Sequence, residues 1–250
     1  MSKSYIHFHG ELKDFLGAGH QDGAVVYPLN RRASVKDVIE ALGPPHTEVG
    51  SINVQGREVG FSHLLQPEEV VDVHALEPPV DPTQPTRLRP HPYPGNRFVV
   101  DVNVGKLASL LRLLGYDASY DQVWRDTTIA AISAQEKRIV LTRDRRLLKR
   151  SQVVWGRLIR ANEPKAQLRE VAWFYGLTPP YQPFSRCLRC NVPLEAVDKA
   201  EVLHRLEPKT RKYFHIFSRC PACDRIYWAG SHHDRMQEWL GVLGMEERPE

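Results

Sequence analysis

The sequence predicts an α/β protein built from more than one domain, and three observations support this class. Residues 97–176 alternate strand-like apolar runs with helix-like amphipathic runs, which is the pattern of a mostly parallel sheet covered by helices. Residues 1–78 instead show the order ββαββ, which indicates a smaller α+β domain. Towards the C terminus, four cysteines form two C-x₂-C pairs, which are typical of a metal-bound module.

Length and composition are those of a soluble globular protein. The chain has 250 residues, of which 42% are hydrophobic and 26% charged, so it can bury a sizeable core. No apolar run approaches the roughly 18 residues of a membrane span. The N-terminal stretch MSKSYIHFHGELKDFL also lacks the apolar region of a secretory signal. We therefore expect a cytoplasmic protein without a membrane partner.

Charge is distributed unevenly along the chain. Residues 1–80 carry 6 Lys and Arg against 11 Asp and Glu, whereas residues 81–250 carry 28 against 19. Eleven of the basic residues lie between Lys137 and Arg169, a density that suggests a polyanionic partner, most often nucleic acid. Two alternatives are a solvated basic face and a contact with the acidic first domain.

The first domain is expected to cover residues 1–78. SYIHFHGEL and GAVVYPLN predict two strands around a polar turn, and Ser34 is placed to cap a helix that ends at Gly43. EVGSINVQGREV predicts a hairpin that turns at Gln55 and Gly56, and VVDVHALEP predicts the last strand. Residues 79–96, with most of the seven prolines of the stretch from Glu77 to Asn96, predict an extended and semi-rigid linker rather than a packed element.

The second domain is expected to cover residues 97–180. Its predicted strands are RFVVDV, RIVLTRD and QVVWGRLI, and its predicted helices are GKLASLLRLLG, RDTTIAAISAQEK and EPKAQLREVAWFYG. Because such strands run parallel, their carboxyl ends meet at one edge of the sheet, where ligands bind. Asp101 and Asp144 follow two of these strands, and Asp126 opens the helix between them.

Three acids brought to one place repel one another unless a divalent cation holds them. Oxygen ligands of this kind suit Mg²⁺ or Mn²⁺, and a metal-activated water that attacks phosphorus is the chemistry expected here. Each acid also has a structural alternative: Asp126 as a helix cap, Asp144 as a partner of the next helix dipole. Asp117 and Asp121 fit turn positions, although Asp121 is near enough in sequence to join the site.

Two cations stand beside these acids in the sequence. Lys106 lies in the first turn of the helix after Asp101, and Arg143 precedes Asp144, so both are candidates to bind a phosphodiester. Gly105 would let the backbone approach that phosphate. The alternative is that both cations are ordinary surface charges.

The cysteines predict a structural Zn²⁺ site formed by Cys187, Cys190, Cys220 and Cys223, within a module expected to cover residues 181–250 and to end in a helix. A redox pair is the alternative. With four thiolates available, His204, His215, His232 and His233 are not needed as ligands and are expected at the surface or facing RNA. The aromatic residues of this module serve either as its core or as a surface that stacks on unpaired bases; they are Tyr213, Phe214, Phe217, Tyr227 and Trp228.

Two resemblances follow from these motifs. The order ββαββ and the hairpin EVGSINVQGREV resemble the ubiquitin-like β-grasp fold of the small sulfur-carrier proteins, but LEPPVDP replaces their terminal Gly-Gly, so carrier chemistry is not expected. The motifs FVVDVNVGKLASLLRLLGYDASYD, RIVLTRDRRLLKR, PFSRCLRCNVPL and RCPACDRIYWAGSHHDRM resemble the Mut-seven C-terminal (Mut7-C) RNase family, a PIN-like nuclease domain with a zinc ribbon. The family is often preceded by a ubiquitin-like domain.

The resemblance implies a PIN-type fold and metal-dependent RNA cleavage, with Asp101, Asp126 and Asp144 as the acids of the site. The chain departs from the family at QVWRDTT, where members tend to have an acidic run, and at GKLASLLR, where many have GKLARWLR. Three functions remain open: a metal-dependent ribonuclease that acts on single-stranded RNA, a catalytically silent RNA-binding zinc protein, and an adaptor that recruits a protein partner through its ubiquitin-like domain.

Overall fold

The computed structural model describes residues 2–228, and its N-terminal domain is a five-stranded mixed sheet with one helix. The strand order is β2-β1-β5-β3-β4, in which β1 and β5 run parallel and the other pairs antiparallel. The elements are β1 (Lys3–Phe8), β2 (Ala24–Pro28), α1 (Val35–Leu42), β3 (Val49–Val54), β4 (Arg57–Glu58) and β5 (Val70–Ala75). The predicted ββαββ order is thus confirmed.

Local sequence explains two features of this domain. The Ser34 hydroxyl accepts a hydrogen bond from the backbone N–H of Asp37, and the Asp37 carboxylate accepts one from the backbone N–H of Ser34, which forms a capping box for α1. Gln55 and Gly56 both have positive φ, 50° and 79°, as the two-residue turn of a tight hairpin requires. The connection between β1 and β2, expected as a polar turn, contains a 3₁₀ helix over Gly10–Phe15.

The second domain is a four-stranded, fully parallel sheet in the order β7-β6-β8-β9. Every residue of β6 and β8 is buried, because helices cover both faces of the sheet. The elements are β6 (Phe98–Val100), α2 (Gly105–Leu113), β7 (Ala118–Ser119), α3 (Asp126–Glu136), β8 (Ile139–Thr142), α4 (Arg145–Leu148), β9 (Gly156–Leu158) and α5 (Pro164–Phe174). The α/β class is confirmed, although sequence reasoning missed the short strand β7.

Two apolar cores lie on the two faces of this sheet. One joins Phe98 and Leu141 of the strands to α2 and α5 through side chains such as Leu107 and Leu168. The other joins the opposite strand faces to α3 and α4, with Val140 at its centre. This double coverage fixes the strands and so fixes the residues at their carboxyl ends.

The proline-rich segment is packed, where an extended, semi-rigid linker was expected. Leu88 belongs to the core of the first domain and Tyr93 to the core of the second. The Arg89 side chain is only 2% exposed, lies over the Trp155 ring and donates hydrogen bonds to backbone carbonyls of both domains, including those of Val49 and Val154. The segment therefore ties the two domains together.

The two domains also meet directly along β9. The Arg157 guanidinium donates to the Glu48 carboxylate at 2.7 Å and to Glu11 at 2.9 Å, and Arg160 reaches Asp14 at 2.6 Å. Burial alone would lower the pKa of Arg157, but the surrounding carboxylates outweigh it and raise that pKa. Acidic residues of the first domain thus neutralise basic residues of the second.

The C-terminal module is a three-stranded antiparallel sheet in the order β10-β11-β12, with a small core in which Phe217 is buried. The elements are β10 (Glu195–Val197), α6 (Lys199–Val202), α7 (Pro208–Tyr213), β11 (Phe217–Arg219) and β12 (Ile226–Trp228). The predicted C-terminal helix, His232 and His233 lie outside the described residues. Among residues 2–228, no helix has the length and apolar character needed to cross a bilayer.

Candidate active site and metal centre

Asp101 and Asp144 lie at the same edge of the parallel sheet. Asp101 directly follows β6, and its backbone N–H donates to the carbonyl of Leu141 in β8 at 3.0 Å. Asp144 stands two residues beyond the end of β8. The Asp101 side chain is buried, with the residue 5% exposed, whereas Asp144 is half-buried. The arrangement follows from the parallel register of β6 and β8.

Thr142 connects these two acids. Its hydroxyl donates to Oδ2 of Asp101 at 2.6 Å and accepts a hydrogen bond from the backbone N–H of Asp144 at 2.9 Å. Thr142 is fully buried. Sequence reasoning did not single it out, although a polar residue at the end of the apolar run IVLT is a signal that could have found it.

Asn103 completes the network around Asp101. Its Nδ2 donates to Oδ2 of Asp101 at 2.6 Å, and its Oδ1 accepts from the backbone N–H of Arg143 at 3.1 Å. The other oxygen of Asp101 accepts from the backbone N–H of Val102 at 2.6 Å. Three donors therefore hold the Asp101 carboxylate in one orientation, and the site consists of oxygen and amide groups of the kind that Mg²⁺ and Mn²⁺ accept.

The other two acids have additional structural contacts. Asp144 caps α4, because its Oδ1 accepts from the backbone N–H of Arg146 at 2.7 Å. Asp126 is the first residue of α3, not its cap, and its Oδ2 lies 3.9 Å from Nη2 of Arg150. Within residues 2–228, the four cysteines are the only group of at least three His, Cys, Asp or Glu side chains whose ligand atoms all lie within 4.8 Å. A common cation for Asp101, Asp126 and Asp144 stays a prediction.

The expected cations and turn residues are placed as follows. Lys106, in the first turn of α2, and Arg143, which follows β8, are both exposed. Gly105 packs against the Tyr120 side chain. A Cβ at that position would lie 2.7 Å from the Tyr120 hydroxyl oxygen, so glycine is needed there. Asp121 accepts from the backbone N–H of Val123 at 3.1 Å, as a turn residue does.

The basic segment has several separate roles. Arg138 does not line the approach to Asp144, because it is 5% exposed and donates to Asp117 at 2.6 and 3.2 Å. Arg157 and Arg160 contact the first domain, as described above. Only part of the basic segment is therefore available to a polyanion.

The four cysteines form a compact cluster. None is in a disulfide, and their Sγ atoms lie within 4.8 Å of one another. The Sγ atoms of Cys187 and Cys223 are 3.7 Å apart, close to the separation of about 3.8 Å between thiolates that bind one tetrahedral Zn²⁺. These residues can hold a zinc ion, and no histidine of the described chain joins them.

Hydrogen bonds prepare Cys187 to act as a thiolate. Burial alone would raise its pKa, but the Tyr227 hydroxyl and the backbone N–H groups of Cys190 and Arg189 lower that pKa to about 6. The Tyr227 oxygen lies 3.2 Å from the Cys187 Sγ and accepts from the backbone N–H of Leu188. Because the thiolate is the form that binds metal, these donors favour coordination.

The cysteine module is fastened to the second domain by two side chains of that domain. Arg112 in α2 is 3% exposed and donates to the carbonyls of Leu188 and Arg189, beside the first cysteine pair. Asp117, expected only as a turn residue, accepts from Nδ2 of Asn191 at 2.6 Å. Asp117 therefore joins Arg138 of one domain to Asn191 of the next.

Comparison with known proteins gives one family for the N-terminal domain and another for most of the remaining chain. The family model described as the Mut7-C RNAse domain matches residues 96–240, and the model described as Mut7-C ubiquitin matches residues 1–81. No curated protein and no solved structure matches the chain. The first match covers more than half of the 250 residues. With its parallel sheet, its acids at the strand ends and its four-cysteine cluster, the chain belongs to the Mut7-C RNAse domain family and carries the Mut7-C ubiquitin domain at its N terminus.

Proposed function

We propose that this protein is a metal-dependent ribonuclease that hydrolyses RNA phosphodiesters at the strand ends marked by Asp101 and Asp144. One observation carries the proposal: in a chain of a ribonuclease family, Thr142 connects the buried Asp101 to Asp144 at the carboxyl edge of a parallel sheet. Ligands bind at this edge in open α/β sheets.

The residues present fit a hard divalent cation. Asp101, Asp144 and Asp126 would hold Mg²⁺ or Mn²⁺ directly or through water, since carboxylates and water are the ligands these ions prefer. Such an ion would supply a nucleophilic water and stabilise the charge that develops at the phosphorus. Thr142 and Asn103 keep the Asp101 carboxylate oriented, and Lys106 and Arg143 bind the phosphodiester. In the C-terminal module, the four cysteines hold one structural Zn²⁺.

A catalytically silent RNA-binding protein is the second candidate. It is favoured by the engagement of Asp144 as a helix cap and by the 3.9 Å approach of Asp126 to Arg150, because both acids have structural partners besides a cation. The third candidate, an adaptor, must use a face of the ubiquitin-like domain other than the one around Glu48, because that face contacts β9.

Cleavage of a single-stranded RNA oligonucleotide, with Mg²⁺ or Mn²⁺ added to the zinc-loaded protein, tests the proposal. Asp101→Asn is expected to lower the rate by about a hundred-fold or more, because even partners of metal ligands cost ten- to a hundred-fold. Asp198→Asn is the matched control, since this exposed carboxylate makes no capping hydrogen bond. Equal rates for the two variants would disprove the proposal, and RNA binding without cleavage by the wild type would favour the second candidate.

A further inference from the structure

Helix α4 (Arg145–Leu148), which follows Asp144 directly, and the two residues after it carry two pairs of cations. Arg145 and Lys149 are four residues apart, and so are Arg146 and Arg150. Residues four apart share one face of a helix, and successive residues are turned by about 100°. Lys149 is the C-cap residue of α4 and Arg150 follows it, so the two pairs are distinguished here by the contacts of each side chain.

The first pair faces the ubiquitin-like domain. The Arg145 guanidinium lies over the Phe15 ring, 4.9 Å from its centroid. Nζ of Lys149 donates to the backbone carbonyl of Glu40 at 2.5 Å, and burial lowers the pKa of Lys149. Both contacts join the two domains, and they direct these cations to the ubiquitin-like domain.

The second pair has one contact each with a candidate acid. Arg146 provides the backbone N–H that binds Asp144, and its exposed side chain makes no ion pair within residues 2–228. Arg150 is directed towards Asp126, at 3.9 Å. Arg143 is exposed on the same loop, beside Asp144. Arg143 and Arg146 are thus exposed on the two sides of Asp144 in the sequence, and Arg150 approaches Asp126.

We propose that Arg143, Arg146 and Arg150 form the phosphate-binding face for RNA, whereas Arg145 and Lys149 hold the ubiquitin-like domain. The proposal rests on the proposed function, because it takes the acids at the strand ends as the place where RNA is cut. Guanidinium groups match phosphate oxygens in geometry and charge. The docked domain confines the RNA backbone to one side of α4.

Two double variants separate the roles, and each removes two cations from the segment Arg145–Arg150. Arg146→Ser with Arg150→Ser changes the proposed phosphate-binding face, and Arg145→Ser with Lys149→Ser is the matched control. Both are made in an Asp101→Asn background of the full, zinc-loaded chain, so that RNA is not cut. Affinity for a single-stranded RNA oligonucleotide of mixed sequence is measured from low to high salt.

The Arg146 and Arg150 variant is expected to bind about 25-fold more weakly at 0.1 M salt and to lower the slope of log affinity against log salt by about 1.4, because each phosphate contact on a single strand contributes about 0.7. The Arg145 and Lys149 variant is expected to keep the wild-type slope but to melt about 2–4 °C lower through weakened domain contacts.

The opposite pattern, in which the Arg145 and Lys149 variant has the lower slope of log affinity against log salt, would overturn the assignment. Equal losses of RNA affinity and slope in both variants, or no such loss in either, would also overturn it. The proposed function is judged separately, by cleavage with the wild-type protein. A wild type that cuts no RNA refutes the nuclease, while the comparison of slopes still decides which face of α4 binds phosphate.

Discussion

Arg157 in β9 and Glu48, the residue before β3, form a buried ion pair across the domain boundary, with Nη1 and Oε2 2.7 Å apart. The two residues are 109 positions apart in the sequence, and both are nearly inaccessible to solvent. The other oxygen of Glu48 accepts from the backbone N–H of Leu158 at 2.7 Å. One carboxylate of the first domain therefore satisfies both a side chain and the main chain of the second.

Glu48→Ala should destabilise the protein strongly. The substitution removes one of the carboxylates that balance the charge of the buried Arg157, and it leaves the Leu158 N–H without its acceptor. Breaking a buried pair typically costs about 3–5 kcal/mol. The measurement is the free energy of unfolding in denaturant. Glu58→Ala, at an exposed position of β4, is the control and should change stability little. Similar stability for the two variants would contradict the importance of this contact.

Asp117→Asn should loosen the contact between the second domain and the cysteine module in a pH-dependent way. Burial acts to raise the pKa of Asp117, but hydrogen bonds from Arg138 and Asn191 outweigh it and lower that pKa. The contribution to stability is therefore complete above the unfolded-state pKa of about 4 and is lost as pH falls below it. We expect a loss of about 2 kcal/mol at pH 7, the typical value for hydrogen bonds to a charged group, that fades towards pH 3, measured by denaturation across pH. A difference that grows on acidification would refute this.

Metal analysis of the purified protein should find one zinc ion per chain. Cys190→Ser should reduce the zinc content, and chelation should make residues 181–228 sensitive to protease, because a structural zinc site contributes its binding energy to folding. The second domain has its own cores and should remain resistant. Protein without zinc, or a disulfide between any two of the cysteines, would disprove the site.

Thr142→Val tests the connection between the two acids. Valine keeps the shape of threonine but cannot donate to Asp101 or accept from the Asp144 N–H, so the RNA cleavage rate should fall about ten- to a hundred-fold. As a readout of positioning, the Mn²⁺ concentration needed for half-maximal activity should rise. Thr128→Val, at an exposed position of α3, is the control. An unchanged Mn²⁺ requirement would assign Thr142 a role in packing alone.

The sequence was sufficient to locate Asp101 and Asp144 at one edge, because alternating strands and helices leave few arrangements of a parallel sheet. It could not divide the basic residues between partners, since Lys149 meets Glu40 across 109 positions and only packing decides which face of α4 is covered. Asp117 was treated as a turn residue for the same reason, because its partner Asn191 lies 74 positions away. The prediction of an unpacked linker from proline content was also wrong, because Arg89 of that segment packs on Trp155, which is distant in the sequence.

The position of β9 at the end of its sheet explains why the two halves of this chain stay together. An outer strand with open main-chain groups is a template for pairing with other chains, and natural proteins cover or interrupt such strands. Here the Glu48 carboxylate takes the Leu158 N–H, and the first domain covers Arg157. A shortened protein that begins at residue 96 would uncover β9 and leave an unbalanced guanidinium beside it. We expect such a fragment to self-associate, and we therefore expect the ubiquitin-like domain to keep the second domain soluble by covering β9.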